Sequence, residues 1–157
     1  KDRSENRFRT RFRSLQTNWI LRDMNRPYTA EEYEEKIGYI RSQLPDVAIS
    51  TDIMVGFPGE EEEDFIATYD LAEKLKFSRI HVFPFSAHKD TPAGRMTQNS
   101  SRETIDLRAR QLRELGERSE KEFIDSFRGQ VLEVVVVLSR KIPHFHSLTV
   151  VLREYPQ

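Results

Sequence analysis

The sequence predicts an α/β fold built on parallel strands and followed by a short β element. Three observations predict it. Two runs read as strands, the β-branched 47–55, bounded by Pro45 and Gly56 and read as buried, and the short 79–83, closed by Pro84. Apolar residues at helical spacing fill the intervals before, between and after them. A last pair of apolar runs, 131–138 and 148–152, follows the final helix across a Pro/His loop. Helix, strand, helix, strand, helix in that order is a parallel βα arrangement.

Each element has its own warrant. Thr29 followed three residues later by Glu32 is a capping box, with Pro27 just before it. Tyr33, Ile37, Ile40 and Leu44 then recur on one helical face, so 30–44 reads as a helix stopped by Pro45. After the strand 47–55, Gly56-Phe57-Pro58-Gly59 is a turn. The helix 61–76 carries Phe65, Ile66, Tyr69, Leu71, Ala72 and Leu75 on its buried side. The strand 79–83 is closed by Pro84 and followed by a polar loop. A long helix over 101–127 then presents Ile105, Leu112, Leu115, Phe123, Ile124 and Phe127, and Gly129 ends it. Two parallel strands alone make no stable sheet, so this part reads as a piece of a larger barrel or open sheet. Its remaining strands must come from the N-terminal residues, another chain or sequence outside these residues.

The 157 residues fit one domain, or one domain with a small appendage. Lys+Arg (25) and Asp+Glu (26) nearly cancel, so net charge alone points to neither nucleic acid nor membrane. The charge is segregated, however. Residues 1–22 hold seven basic and two acidic groups, a formal +5, whereas residues 30–64 carry −9. Within the first stretch Arg7, Arg9, Arg11 and Arg13 alternate with other residues, two of them Phe8 and Phe12. That pattern suits an amphipathic strand, an arm whose guanidiniums meet RNA phosphates while its rings stack on bases, or a solvated terminus.

No apolar run approaches the roughly 20 residues needed to span a bilayer, so no membrane partner is expected. The first residues are polar and Arg-rich, without the apolar stretch of a secretory signal, and a cytoplasmic chain is the expectation. The absence of cysteine excludes disulfides, thiolate catalysis and a cysteine-held metal within these residues.

In α/β folds the loops after the carboxyl ends of the strands face the active site. Here these are the residues 56–60 and 84–88. Two glycines let the first loop turn sharply and approach a ligand, but without a lysine, and beside Glu60 to Glu63, it does not suit a phosphate. Those acids complement a helix dipole, and a neutral or cationic ligand such as a nucleoside or sulfonium is compatible. Asp52 interrupts an apolar strand, either at an exposed face or as a buried carboxylate that needs a partner. His81 reads as a satisfied core histidine. His144 and His146 have the H-x-H spacing that on a strand would put both rings on one face, but they lack a third ligand, so no metal site is expected.

Read together, three blocks carry a resemblance. They are Met24-Asn-Arg-Pro-Tyr-Thr29, then Thr51-Asp-Ile-Met-Val-Gly-Phe-Pro-Gly-Glu60 with Glu63-Asp-Phe65, then His81-Val-Phe-Pro-Phe-Ser86 with Thr91-Pro-Ala93 and Met96. In order and spacing they resemble the C-terminal half of the radical-SAM methylthiotransferases, over about residues 20–138. The segment 81–86 is most similar to the branch acting on threonylcarbamoyladenosine of tRNA. The resemblance implies a partial TIM-type (βα) barrel followed by a TRAM-like RNA-binding β element. Residues 1–18 would be a basic arm or unmatched segment, 19–128 the C-terminal part of the barrel, and 129–157 a truncated TRAM-like element.

The implied chemistry is insertion of a methylthio group at C2 of a hypermodified adenosine next to the anticodon. S-adenosylmethionine is cleaved to a 5′-deoxyadenosyl radical on one [4Fe–4S] cluster, and a second cluster bears the sulfur. By the same resemblance Val55, Gly56, Phe57, Pro58, Gly59 and Glu60 would line the S-adenosylmethionine side. Val82, Phe83, Pro84 and Phe85 would pack near its adenine, and Asp52 would face the barrel interior. The sequence departs from the family pattern at Glu61, Phe85 and Asp90, where threonine, tyrosine and glycine are usual, and residues 1–18 do not match.

Without cysteines the chain reads as a fragment that by itself holds neither the clusters nor S-adenosylmethionine and is inactive alone, with no catalytic residue of its own. A second reading is a non-enzymatic nucleic-acid-binding module. It would use the Arg/Phe arm and Arg102, Arg108, Arg110, Arg113, Arg118, Lys121 and Arg128 of the long helix, a face that equally reads as solvated and laced with Glu114, Glu117, Glu120 and Glu122. A third reading is self-association through exposed sheet edges.

Overall fold

The computed structural model describes residues 10–12, 16–88, 90–130, 132–136 and 150–154. Two compact units divide the chain, Lys1–Asp125 and Ser126–Gln157.

The first unit holds a three-stranded parallel sheet in the order β1-β2-β3, with β1 Thr10–Phe12, β2 Ile49–Val55 and β3 Arg79–Pro84. The strand beyond the two expected ones thus comes from the N-terminal arginine-rich residues. Arg11 is its middle residue, in register with Ser50. Between β1 and β2 lie α1 (Asn18–Asp23) and α2 (Ala30–Gln43), α3 (Glu62–Leu75) joins β2 to β3, and α4 (Arg102–Asp125) follows β3. A single 3-10 turn, Ala93–Arg95, interrupts the polar loop before α4.

Local chemistry sets the boundaries. Thr29 Oγ1 accepts from Glu32 N and Glu32 Oε2 from Thr29 N, so the predicted capping box starts α2. Leu44, ahead of Pro45, has the extended backbone that a following proline imposes. Lys76 ends α3 in the left-handed conformation, with its carbonyl held by Arg41 Nη2 at 2.8 Å.

One core joins the sheet to three helices. Ile49, Ile53 and Val55 of β2 pack with Tyr33 and Ile37 of α2, Phe65, Ala72 and Leu75 of α3, and Ile105, Ala109, Leu112 and Leu115 of α4. Thr51 lies on the same face and meets the Tyr33 hydroxyl at 2.9 Å. The alternate residues of β2, Ser50, Asp52 and Met54, therefore belong to the opposite face. Parallel register places Arg79, His81 and Phe83 of β3 beside them.

Three details differ from the sequence reading. Ile66 is 48% exposed, because the buried stripe of α3 runs through Phe65, Thr68, Ala72 and Leu75, about 100° away on the helix. Ile124 is 60% exposed, beyond the part of α4 that covers the sheet. Arg108, grouped above with a solvated basic face, is 4% exposed, because it lies on the apolar stripe of α4 between Ile105 and Leu112.

The second unit holds an antiparallel pair, β4 (Leu132–Val136) and β5 (Val150–Glu154), with Val134 opposite Leu152. It also contains Gly129, whose φ of +82° closes the turn after α4. His144 and His146 lie outside the described residues.

Candidate functional site

Parallel pairing brings the carboxyl ends of β2 and β3 side by side. Val55 is in register with Pro84, Met54 with Phe83, Ile53 with Val82 and Asp52 with His81. Phe85 N donates to Val55 O at 2.7 Å and carries the pairing one residue further. The loop 56–60 leaves from this edge, and the Phe57 and Phe85 rings meet edge to face at 5.6 Å.

The loop is held at both ends. Gly56 has φ +74° and Gly59 φ +88°, conformations that favour glycine. Neither position has spare room: a Cβ on Gly56 would sit 2.6 Å from Ile105 Cγ1, and one on Gly59 3.1 Å from the Trp19 ring. Gln98 Nε2 donates to Gly56 O at 2.8 Å, and Gln16 Nε2 donates to Met54 O at 2.6 Å. Glu60 N closes the turn onto Phe57 O.

Glu60 itself turns inward. It is 5% exposed, accepts from Gly56 N through Oε2 at 3.1 Å, and accepts from Arg108 Nη1 through Oε1 at 2.8 Å. Burial pushes its carboxyl above the usual range, and the Arg108 guanidinium offsets part of that rise. The other fork of Arg108 binds Glu62 Oε2 at 2.8 Å, and the guanidinium lies 5.3 Å from the centre of the Phe65 ring. Of the acidic run, then, Glu60 and Glu62 receive an arginine, whereas Glu61 caps α3 with Asp64 Oδ2 on its backbone N–H.

The sequence-derived site residues divide by exposure. Val55, Phe57, Pro58 and Glu60 are buried, as is Gly56, so from this stretch the loop offers backbone rather than side chains. Asp52, Gly59, Val82, Pro84 and Phe85 are half-buried, and Phe83 is 47% exposed. His81 is half-buried too; it lines a groove of about 300 Å³ between β3 and α4 with Arg79, Phe83, Arg113, Glu117 and Glu120. Ser86 and His88 are exposed, and His88 meets Asp90 at 3.7 Å. Arg7, Arg9 and Arg13 lie outside the described residues.

Sequence reasoning placed Arg108 on an RNA-facing or solvated surface and missed Gln98, Trp19 and Asp64. For Arg108 a partial signal was present, since it falls between Ile105 and Leu112 at apolar spacing, but Arg102 and Arg118 share that spacing and are exposed. Trp19 and Asp64 depend on a contact between segments 45 residues apart, which no local pattern reveals.

No protein-family model matches the chain. Individual relatives do. The tRNA-2-methylthio-N(6)-dimethylallyladenosine synthase of Acetivibrio thermocellus is 44% identical over 117 residues, 74% of this chain and 24% of the relative. The threonylcarbamoyladenosine tRNA methylthiotransferase of Bacillus subtilis is 36% identical over 119 residues, 76% and 26% respectively. Its counterpart in Aquifex aeolicus is 37% identical over 131 residues, 82% and 32%. The chain belongs to the radical-SAM methylthiotransferase family. It spans a quarter to a third of the length of the curated relatives it matches.

The methylthiotransferase cofactors can be compared with this geometry. An iron–sulfur cluster does not fit these residues: the chain has no cysteine, and among the described residues no three His, Asp or Glu side chains converge. The adjoining strand ends present partly exposed apolar and aromatic groups with peptide edges beside them, a chemistry compatible with a nucleoside-bearing ligand. Among the described residues no helix is long and apolar enough to cross a membrane.

Proposed function

We propose that this chain supplies the S-adenosylmethionine side of a tRNA methylthiotransferase that modifies C2 of a hypermodified adenosine next to the anticodon. The observation that carries the reading is identity of 36–44% over about three quarters of the chain to enzymes of both adenosine branches. Asp52, Val55, Gly56, Phe57, Pro58, Gly59, Glu60, Val82, Phe83, Pro84 and Phe85 would form the cofactor side. S-adenosylmethionine supplies the radical that opens the C2–H bond. The chain's own residues bind and orient the nucleoside half: Gly56 and Gly59 offer backbone, while Val82, Phe83 and Phe85 offer apolar surface.

Strand order and helix placement favour a TIM-type barrel piece over an open doubly wound sheet. The strands run in sequential order, and α2, α3 and α4 share one core with one face of β2. An open doubly wound sheet reverses its strand order and puts helices on both faces. The face carrying Ser50, Asp52, Met54, His81 and Phe83 would then be the barrel interior. The antiparallel pair β4–β5 would open a TRAM-like element, and Arg7, Arg9, Arg11 and Arg13 would meet the tRNA. The clusters would be held by cysteines outside these residues, so the chain by itself is expected to be inactive.

A segment exchange tests the reading. The chain replaces the corresponding segment of the Bacillus subtilis relative in a strain lacking that enzyme, and tRNA nucleosides are analysed by mass spectrometry. Return of the 2-methylthio nucleoside is expected. A soluble, folded chimera that assembles its clusters yet leaves the nucleoside unmodified would sink the reading.

A further inference from the structure

Arg108 and Glu60 are the two charged residues among the buried ones described, and they face each other. A buried ion pair is rarely a net gain over apolar residues of the same size, so its presence calls for a role other than stability. The geometry supplies one. Arg108 Nη1 reaches Glu60 Oε1 at 2.8 Å, the Glu60 carbonyl at 3.3 Å and Ser100 Oγ at 3.5 Å. Ser100 Oγ in turn donates to the Glu60 carbonyl. The other oxygen of Glu60 holds the Gly56 N–H, while Gln98 holds the Gly56 carbonyl. Thus the first and last residues of the loop are both clasped by α4 and the residues leading into it, and Arg108 is the centre of the clasp.

We infer that Arg108 is a positioning residue, which fixes the backbone of the loop 56–60 through Glu60 and so sets the shape that a nucleoside ligand meets at the ends of β2 and β3. This rests on the proposal that the loop lines the cofactor side. Arg108 touches no ligand in this scheme. It acts through the Glu60 carboxylate, whose two oxygens are divided between Arg108 and Gly56. A lysine would keep one charge beside Glu60 but lose the second fork to Glu62 and the planar contact with Phe65.

Amide hydrogen exchange on the whole chain tests the inference without any ligand. In Arg108→Met, exchange at Gly56 and Glu60 should accelerate by about tenfold or more beyond the acceleration that lost stability imposes on amides inside β2 and α2. Arg108→Lys should give an intermediate acceleration. If Arg108→Met does not fold, the double variant Arg108→Met/Glu60→Gln, which leaves no unpaired buried charge, should fold and show the same local loosening. Exchange at Gly56 and Glu60 that rises no more than inside β2 and α2 in the folded variants would overturn the positioning role.

A second arm separates this inference from the cofactor reading. S-adenosylmethionine binding is measured by equilibrium dialysis on the segment-exchange enzyme with its clusters assembled, carrying either the wild-type chain or its variants. Binding by wild type that weakens about tenfold or more in Arg108→Met supports both. Equal binding by wild type and by a variant with a loosened loop overturns the positioning role. A cluster-loaded wild-type chimera indifferent to S-adenosylmethionine overturns the cofactor reading, with the positioning role then decided by the exchange data alone.

Discussion

The Trp19 indole donates to Asp64 Oδ1 at 2.7 Å and ties the start of α1 to the first turn of α3. Thr17 Oγ1 donates to the same oxygen at 2.9 Å, and Asp64 Oδ2 accepts from Glu61 N at 3.1 Å. One carboxylate therefore joins two segments and caps a helix, and it also holds the indole against Gly59 in the candidate loop. Asp64→Ala should cost about 2–3 kcal/mol of unfolding free energy, as expected for lost hydrogen bonds to a charged acceptor. Asp64→Asn should cost less, because its remaining oxygen still accepts the indole. Urea unfolding followed by Trp19 emission measures both, and an Asp64→Ala variant within about 0.5 kcal/mol of wild type would refute the assignment.

Gly56 should not tolerate alanine. The new Cβ would meet Ile105 Cγ1 at 2.6 Å, and the backbone sits at φ +74°. Overpacking and a left-handed alanine together should cost about 2–4 kcal/mol. Ile105→Ala removes the clash but opens a cavity in the core, itself worth about 2–5 kcal/mol. The double variant should therefore lose less than the sum of the singles, and a double-mutant cycle in urea reads the difference. Strict additivity would mean that Ile105 does not press on the loop.

The fold was legible in the sequence where a signal is local. The capping box at Thr29 and Glu32, the stop before Pro45 and the two strands depend on neighbours a few residues apart, and they appear as read. The turn at Gly56 and Gly59 is likewise local, and both glycines adopt the positive φ that such a turn calls for. What was not legible depends on distant segments. β1 is three residues long and becomes a strand only because β2 offers it an edge. Lys76 ends α3 at φ +43°, a place where a glycine would have announced itself. Arg108 sits at apolar spacing in the sequence, but nothing local to it reveals the buried Glu60 it pairs with.

Tyr33 and Thr51 offer a cleaner measure of the core. Both are buried, their hydroxyls meet at 2.9 Å, and burial pushes the Tyr33 phenol above its ordinary value. Tyr33→Phe leaves the Thr51 hydroxyl without this partner inside the core and should cost about 1–2 kcal/mol. Adding Thr51→Val removes the stranded group and should recover part of that loss. A double variant less stable than Tyr33→Phe alone would show that the Thr51 hydroxyl serves another contact.

The Glu60–Arg108 pair makes a prediction about pH. Because burial raises the Glu60 carboxyl in the folded chain, the folded state binds that proton more tightly than the unfolded one. Its contribution to stability is then fully present below the ordinary carboxylate value and is lost as pH rises through the raised one. Arg108 limits this loss by pairing with the ionised form, with Glu62 on its other side and the Phe65 ring close to its guanidinium. Removing that cation should cost about 3–5 kcal/mol near neutrality, where Glu60 is left charged and buried. Arg108→Met should therefore be more stable at about pH 5 than at about pH 8, by a wider margin than wild type. Glu31 and Glu103 act in the opposite sense, since hydrogen bonds from Asn18 and from the backbone, respectively, hold them below the usual range and their stabilisation fades as pH falls. Comparing Arg108→Met with Arg108→Met/Glu60→Gln cancels those two. Urea titrations across that range should show the acid-side gain in the first variant and its absence in the second, and a gain of equal size in both would mean that Glu60 is not its source.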